Sequence, residues 1–251
     1  MKKSLWFILP IILVLILWEI ISHSGLVSVA LFPPPSKVAV ALWGMITSGT
    51  LFSDLRDSLW RLIAGLFLGS VFGVITGLLT GKKKIFENIL SPIIQILRPL
   101  PPVAIIPLVI VWFGIDDGAK IFSIAFAVFF PVWLNTHIGV GRMAHEFLWS
   151  AKLLTTSSLK IFRKIVFPSA LPFIIAGIRT SIAVAFVMVF VSELSGASSG
   201  LGYRISISSL AYRIDEMIAA LIVLGALGAV TDQLFVFATN KIFPWIKFST
   251  K

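Results

Sequence analysis

Residues 145–172 read HEFLWSAKLLTTSSLKIFRKIVFPSALP, a polar and basic segment set between apolar runs long enough to cross a bilayer. Within it, 146–154 and 158–166 both carry helix-forming patterns. They are separated by Thr155, Thr156 and Ser157, whose hydroxyls suit a turn and a helix N-cap. Phe147, Leu148, Ala151 and Leu154 supply apolar knobs, whereas Lys152, Lys160, Arg163 and Lys164 supply charge facing water or phospholipid. The pattern predicts a short helix, a corner and a second helix that re-enters the membrane at Pro168. Such an insert reads as a surface gripped by a partner, in preference to an amphipathic helix lying on the leaflet.

The composition fixes the class around it. Hydrophobic residues make up 58% of the 251, charged residues only 13%, and the mean hydropathy is +1.02, far outside the soluble range. An all-α, polytopic membrane protein follows, since a helix needs roughly 18 or more apolar residues to cross about 30 Å of hydrocarbon. Six spans are expected, over 5–22, 59–80, 85–113, 121–136, 173–194 and 217–240. No alternating pattern of the kind that builds a barrel competes with them.

The net charge of +10 does not imply nucleic acid, because the basic residues sit where topology wants them. Lys2, Lys3, Lys82, Lys83, Lys84, Arg142, the insert, Lys241, Lys247 and Lys251 fall on one side. The acidic pairs Asp54/Asp57, Asp116/Asp117 and Asp215/Glu216 fall on the other. By the positive-inside rule both termini and the insert are cytoplasmic. Trp6, Trp18, Trp112, Trp133 and Trp245, near span ends, suit interfacial anchors or packing. The first run reads as a retained helix in preference to a signal peptide, because Trp18 and Glu19 lie near its end and no small-residue cleavage site follows. With no cysteine and only His23, His137 and His145, neither disulfides nor a metal site is expected.

Three stretches within the spans carry further information. Gly65, Gly69, Gly73, Gly77 and Gly81 recur every fourth residue, a groove that lets a neighbouring helix, of this chain or of a second copy, approach closely. In the third span Arg98, Pro99, Pro101, Pro102 and Pro107 interrupt the helix. The carbonyls freed there must face protein or a water-filled cavity. Arg98 then suits an anionic solute, or a partner that merely holds the bend. At the end of the fifth span, Ser192, Glu193 and Ser195 precede the small-residue run Gly196–Gly202, which includes Ser198 and Ser199. Its N–H groups suit either a solute or a solvated loop. Asn135 suits the same path or helix packing.

The insert resembles the cytoplasmic loop of ABC-importer permeases. That loop runs Glu-Ala-Ala, three residues, Gly, nine residues, Ile, one residue, Leu-Pro, and these places hold Trp149-Ser150-Ala151, Thr155, Ile165 and Phe167-Pro168 here. Trp149 replaces the acidic residue and Thr155 the glycine. Beyond the loop, LFPPPSKV, SLWRLIAGLFLG, LRPLPPVAIIPLVIVWFGI, FFPVWLNT, LPFIIAGIR and SELSGASSGLGY are similar, in order, to permeases for nitrate, bicarbonate, taurine and aliphatic sulfonates. The resemblance implies the transmembrane domain of a type I importer: two permease subunits, two cytoplasmic ATPase subunits that hold ATP and magnesium, an extracytoplasmic solute-binding protein and surrounding lipid. It implies no cofactor on this chain, and an organic solute such as a vitamin precursor stays open beside the anions.

Residues 1–30 would form an N-terminal transmembrane helix, 31–57 an extracytoplasmic connection, and 58–245 the permease core with its loop at about 142–170. ATPase coupling would fall to Glu146, Trp149, Ser150, Ala151, Lys152, Leu154, Thr155, Thr156 and Pro168. The solute path would fall to Arg98, Pro101, Pro102, Asn135, Ser192, Glu193, Ser195, Ser198 and Ser199. The nearest approach to a Walker A loop, Gly77 to Lys82, has one residue too few between its glycines and no Ser or Thr after the lysine. ATP hydrolysis is therefore not expected of this chain. Two rivals are a secondary transporter using Glu193 and Asp232, and a membrane-embedded enzyme, for which no cluster of catalytic residue types is seen within the spans.

Overall fold

The computed structural model describes residues 2–25, 27–143 and 145–246, and these form helices joined by short turns, with no strand among them. In chain order they are α1 (Lys2–His23), α2 (Pro35–Thr47), α3 (Thr50–Lys82), α4 (Lys84–Leu97), α5 (Ile106–Phe113), α6 (Asp117–Gly141), α7 (His145–Leu154), α8 (Ser158–Ile161), α9 (Phe167–Leu194), α10 (Leu201–Leu210) and α11 (Ile214–Ile242). Four helical stretches are unbroken and long and apolar enough to span: α3, α6, the run Ser158–Leu194 and α11. The expected third span is instead a pair, α4 and α5, bent by 87°. The prolines explain it, since Pro99, Pro101 and Pro102 cannot donate the backbone bonds a straight helix needs. In α1, the described apolar part covers Leu9–His23.

The glycine groove fixes how these helices pack. A Cβ on Gly65 would lie 2.6 Å from Ile124 Cβ, on Gly69 2.8 Å from Val128 Cβ, and on Gly73 2.8 Å from Val132 Cβ. On Gly77 it would lie 2.5 Å from Thr136 Cβ, and on Gly81 2.6 Å from Val140 Cβ. Each glycine thus accepts a residue of α6 into the space its own side chain would fill, so the groove is closed within the chain. Both lists rise together at a constant offset, which makes α3 and α6 parallel. The end of α3 and the start of α6 therefore lie at opposite ends of the bundle. Despite its right-angled bend, the α4–α5 segment must carry the chain across.

The next helix runs the other way. A Cβ on Gly139 would meet Phe173, one on Gly177 would meet Asn135, and Ser181 Oγ donates to the Val128 carbonyl at 3.4 Å. The α9 helix is thus antiparallel to α6, and α11, which meets Phe186 at Gly228 and Arg179 at Asp232, is antiparallel to α9. The core at their meeting includes Leu62, Ile124, Val128, Ala185 and Val189. Trp133 belongs to the packed interior and not to an interfacial belt. It is 2% exposed, and its Nε1 donates to Thr80 Oγ1 at 3.2 Å. Trp112 and Trp245 are exposed, and the side chain of Trp6 lies outside the described ones.

The segment expected as a plain connection, 31–57, contains α2 and the first turns of α3. Glu19 at the end of α1 accepts from Ser36 N at 3.1 Å and Ser36 Oγ at 2.7 Å, which ties α1 to the start of α2.

Replacing Gly73 by Leu should wedge α3 from α6, at a cost of at least about 1–3 kcal/mol. Gly44, where an added Cβ meets nothing within 4 Å, should tolerate Ala. Thermal unfolding of the two purified variants in detergent checks the contrast, with a lowered midpoint expected for Gly73→Leu alone.

Candidate functional site

At the end of the bundle opposite the insert, Asp54, Ser58 and Arg61 lie along one face of α3 and are 3%, 2% and 3% exposed. Arg61 Nη1 donates to Glu193 Oε1 at 2.8 Å and to the Ser199 carbonyl at 2.7 Å, while its Nε donates to Asp117 Oδ1 at 2.7 Å. Ser58 Oγ donates to the Glu193 carboxylate at 2.8 Å and accepts from Leu201 N at 2.9 Å. Glu193 Oε2 also accepts from Gly202 N at 2.8 Å. Asp54 accepts from Gly200 N at 3.0 Å and from Arg204 Nε at 2.8 Å. A buried carboxylate and a buried guanidinium thus each have several partners, which is the condition for keeping both charged away from water.

Glycine is required where this loop folds over Glu193. Gly200 has φ +116°, and a Cβ there would lie 2.5 Å from the Glu193 carboxylate. The small-residue run is therefore bound down onto α3 and α9. The sequence reading assigned Arg61, Ser58, Asp54, Asp117 and Arg204 to no site, and used Asp54 and Asp117 only as marks of topology. The available signal was polar residues at i, i+4 and i+7 (54, 58, 61) opening an otherwise apolar span, the mark of one inward face.

Of the residues singled out for a solute path, Glu193 and Ser199 meet in this cluster. Ser192 Oγ and Ser195 Oγ turn back to their own helix, to the Val189 and Val191 carbonyls at 3.0 Å. Both line a small cavity with Ile106, Ile110, Lys120 and Ser123, of ≈ 10 Å³, which is room for about one water. Ser198 is exposed. Asn135 spends its Nδ2 on the Pro131 carbonyl at 2.8 Å, at the crossing of α6 with α9.

The second group lies at the bend. Arg98 closes α4, its N–H donating to the Ile94 carbonyl at 2.8 Å, and its side chain is exposed. Pro101 is exposed and Pro102 half-buried at the start of a single 3-10 turn, 102–105, that leads into α5. No hydrogen bond joins this bend to the Glu193 cluster among the described residues.

The third group is the insert. Thr155, Thr156 and Ser157 break α7 from α8, and Ser157 Oγ accepts from Lys160 N at 3.4 Å as an N-cap. Thr155 N donates to the Ala151 carbonyl at 2.9 Å, and its Oγ1 accepts from Ser157 N at 3.3 Å. Ala151 is buried, whereas Ser150 is exposed, as are Trp149, Leu153 and Leu154, the last two by 89% and 87%. A cluster of large apolar side chains this bare marks a surface that something covers. The side chains of Glu146 and Lys152 lie outside the described ones.

From α8 the chain continues through one π turn, 162–166, into α9 with Pro168 in its first turn. Lys82 Nζ sits 4.7 Å above the Phe162 ring, which joins the end of α3 to that turn. Among the described residues no group of His, Cys, Asp or Glu could hold a metal ion.

This geometry has relatives. The putative aliphatic sulfonates transport permease protein SsuC of Bacillus subtilis (strain 168) is 34% identical over 95% of this chain and 86% of its own length. The taurine transport system permease protein TauC of Escherichia coli (strain K12) is 29% identical over 92% of this chain and 85% of its own. The fold is shared with a chain from the crystal structure of an amino acid ABC transporter with histidines, at a TM-score of 0.62 and 18% identity, covering 80% of this chain and 96% of that one. Residues 65–244 match the model of the binding-protein-dependent transport system inner membrane component. A helical bundle with one exposed polar insert, related over nearly its whole length to transport permeases, thus belongs to that family, the permease components of ABC transporters.

Proposed function

We propose that this chain conducts a small anionic solute, of the nitrate, bicarbonate, sulfonate or taurine type, across a bacterial inner membrane in an ATP-driven importer. Two copies assemble in lipid with two separate ATPase subunits, which hold the ATP and magnesium. A solute-binding protein docks at the end carrying the Arg61–Glu193 cluster. Both termini and the insert face the cytoplasm, where Trp149, Ser150, Leu154, Thr155 and Thr156 lie in the ATPase groove, with Glu146, Ala151 and Lys152 in the same helix. The relatives named for sulfonates and taurine support the solute class, and the exposed Arg98 at the bend supports an anion.

The observation that carries the mechanism is the continuity of Ser158–Leu194, 37 residues of helix without a break. One end leaves the corner at Thr155, and the other holds Glu193 inside the opposite cluster. ATP binding can bias the inward- and outward-facing states only through contacts that differ between them. A rigid rod fixed to the insert turns such a difference into motion at the far end. Pro168, at the foot of α9, lies on that line, and Arg98, Pro101 and Pro102 gate the path beside it. Glu193 is the anchor of the rod's far end and not a carrier of protons.

Thr155→Pro removes the N–H that donates to Ala151 and forces the corner open, so the ATPase should no longer co-purify while the spans still insert. Unchanged association together with unchanged ATP-dependent uptake would overturn the coupling role. Glu193→Ala should leave Arg61 buried without its main counter-charge and cost about 3–5 kcal/mol, read as a large drop in the unfolding midpoint. A variant of full stability that loses only solute uptake would place Glu193 in the path instead.

A further inference from the structure

At the end of the bundle that carries the insert, Lys82, Lys83 and Lys84 close α3 and open α4, while Lys160, Arg163 and Lys164 follow on α8 and the π turn. All six are exposed, and none forms an ion pair among the described residues. Like charges gathered at a span end without counter-charge repel one another and attract an anion.

Between the last turns of α3 and the π turn runs a groove of ≈ 640 Å³, a size that accepts a small molecule. Its walls change in character along its length. Ile75, Leu78 and Leu79 line the part beside the span, and Lys82 and Lys83 line its rim with Phe162. Ile75 precedes Lys82 by two turns of helix, about 10 Å of rise. The apolar part therefore lies within hydrocarbon and the ammonium groups at its edge, where α3 ends. The Phe162 ring, with its centroid 4.7 Å from Lys82 Nζ, steadies that ammonium while leaving its N–H groups free for an oxyanion.

The gradient selects the occupant. A partner dissolved in the cytoplasm cannot follow the groove down to Ile75. A second copy, turned about an axis along the membrane normal, keeps its own basic end at the same depth, so its lysines would face these. No acid is among the lining residues, and Glu87, in the adjoining cleft with Lys82 and Lys84, offsets a single charge. A phospholipid of net negative headgroup meets both halves, since its phosphate lies at the depth of the ammonium groups and its chains lie below.

We infer that this groove is the site of one anionic phospholipid, its phosphate on Lys82 and Lys83 and an acyl chain along Ile75, Leu78 and Leu79. The headgroup ties the end of α3 to the turn through which the insert continues into α9, whatever solute the chain conducts.

The test uses the permease, assembled with a cysteine-free ATPase, in phosphatidylcholine nanodiscs in which a small share of the lipid carries bromine on its acyl chains. The chain has no cysteine, so Ile75→Cys takes a single bimane label in the groove. Phe237→Cys, exposed on α11 near the same end, takes one outside it. Brominated phosphatidylglycerol should quench the label at 75 at least about fivefold more effectively than brominated phosphatidylcholine, the value of one lysine meeting an anionic surface. The label at 237 should show a far smaller preference. Lys82→Gln combined with Lys83→Gln should lower the preference at 75 to that at 237. High salt should shrink it in the chain with both lysines intact, a readout that does not depend on the variant folding. Inorganic phosphate at matched ionic strength should leave it unchanged, because it gains nothing from the apolar wall. Three results overturn the bound lipid. Equal preference at both labels means diffuse attraction to a basic end, weak quenching at 75 by either lipid means that protein fills the groove, and displacement by inorganic phosphate means a site for the headgroup alone.

Discussion

Everything in this bundle depends on how closely α3 and α6 approach. Lipid tails are as apolar as leucine, so two membrane helices gain little from hiding apolar surface and must gain from contact itself. Five glycines spaced by four provide that contact, each receiving a β-carbon or carbonyl of α6. The seam sets the direction of both helices and forces α4–α5 to cross despite its bend. It also presents the opposite face of α6 to α9, where Gly139 and Gly177 repeat the same device. The insert and the Arg61–Glu193 cluster are held at opposite ends because this seam does not slide.

The two ends are built from different physics. The cluster around Glu193 is held by charge-assisted bonds centred on Arg61, Glu193 and Asp54, which are almost fully removed from water, a construction that tolerates little displacement. The insert is held at its corner by a few local bonds, and it exposes Trp149, Leu153 and Leu154. The stiff far end and the loosely tied near end are joined by the one helical run Ser158–Leu194.

Local features were legible in the chain. The apolar runs, the corner at Thr155–Ser157, the glycine period and the proline bend all depend on neighbours within a few residues, and each is visible in the structure. The bend's angle was not, because prolines forbid a straight helix without choosing a direction. The inward face of 54, 58 and 61 leaves a signal in the chain, but its partners leave none. Arg61 meets Glu193 across 132 positions and Asp54 meets Arg204 across 150, and no periodicity encodes such pairings. Of the two readings open for Trp133, packing holds, a choice its place near a span end could not make because it says nothing about which face α6 turns to α3. The second helix of the insert, 158–166, and the fifth span, 173–194, read as separate pieces in the sequence, whereas the π turn joins them in one run from Ser158 to Leu194.

The parallel seam also imposes an order on synthesis. When α3 leaves the ribosome its glycine face has no partner, and α6 follows only after the bent pair has been made. At about 5–20 residues per second the wait lasts several seconds. Through that interval the exposed stripe must rest against lipid or the insertion machinery, so translation speed between Lys82 and Asp117 governs how often this helix is caught by the wrong neighbour.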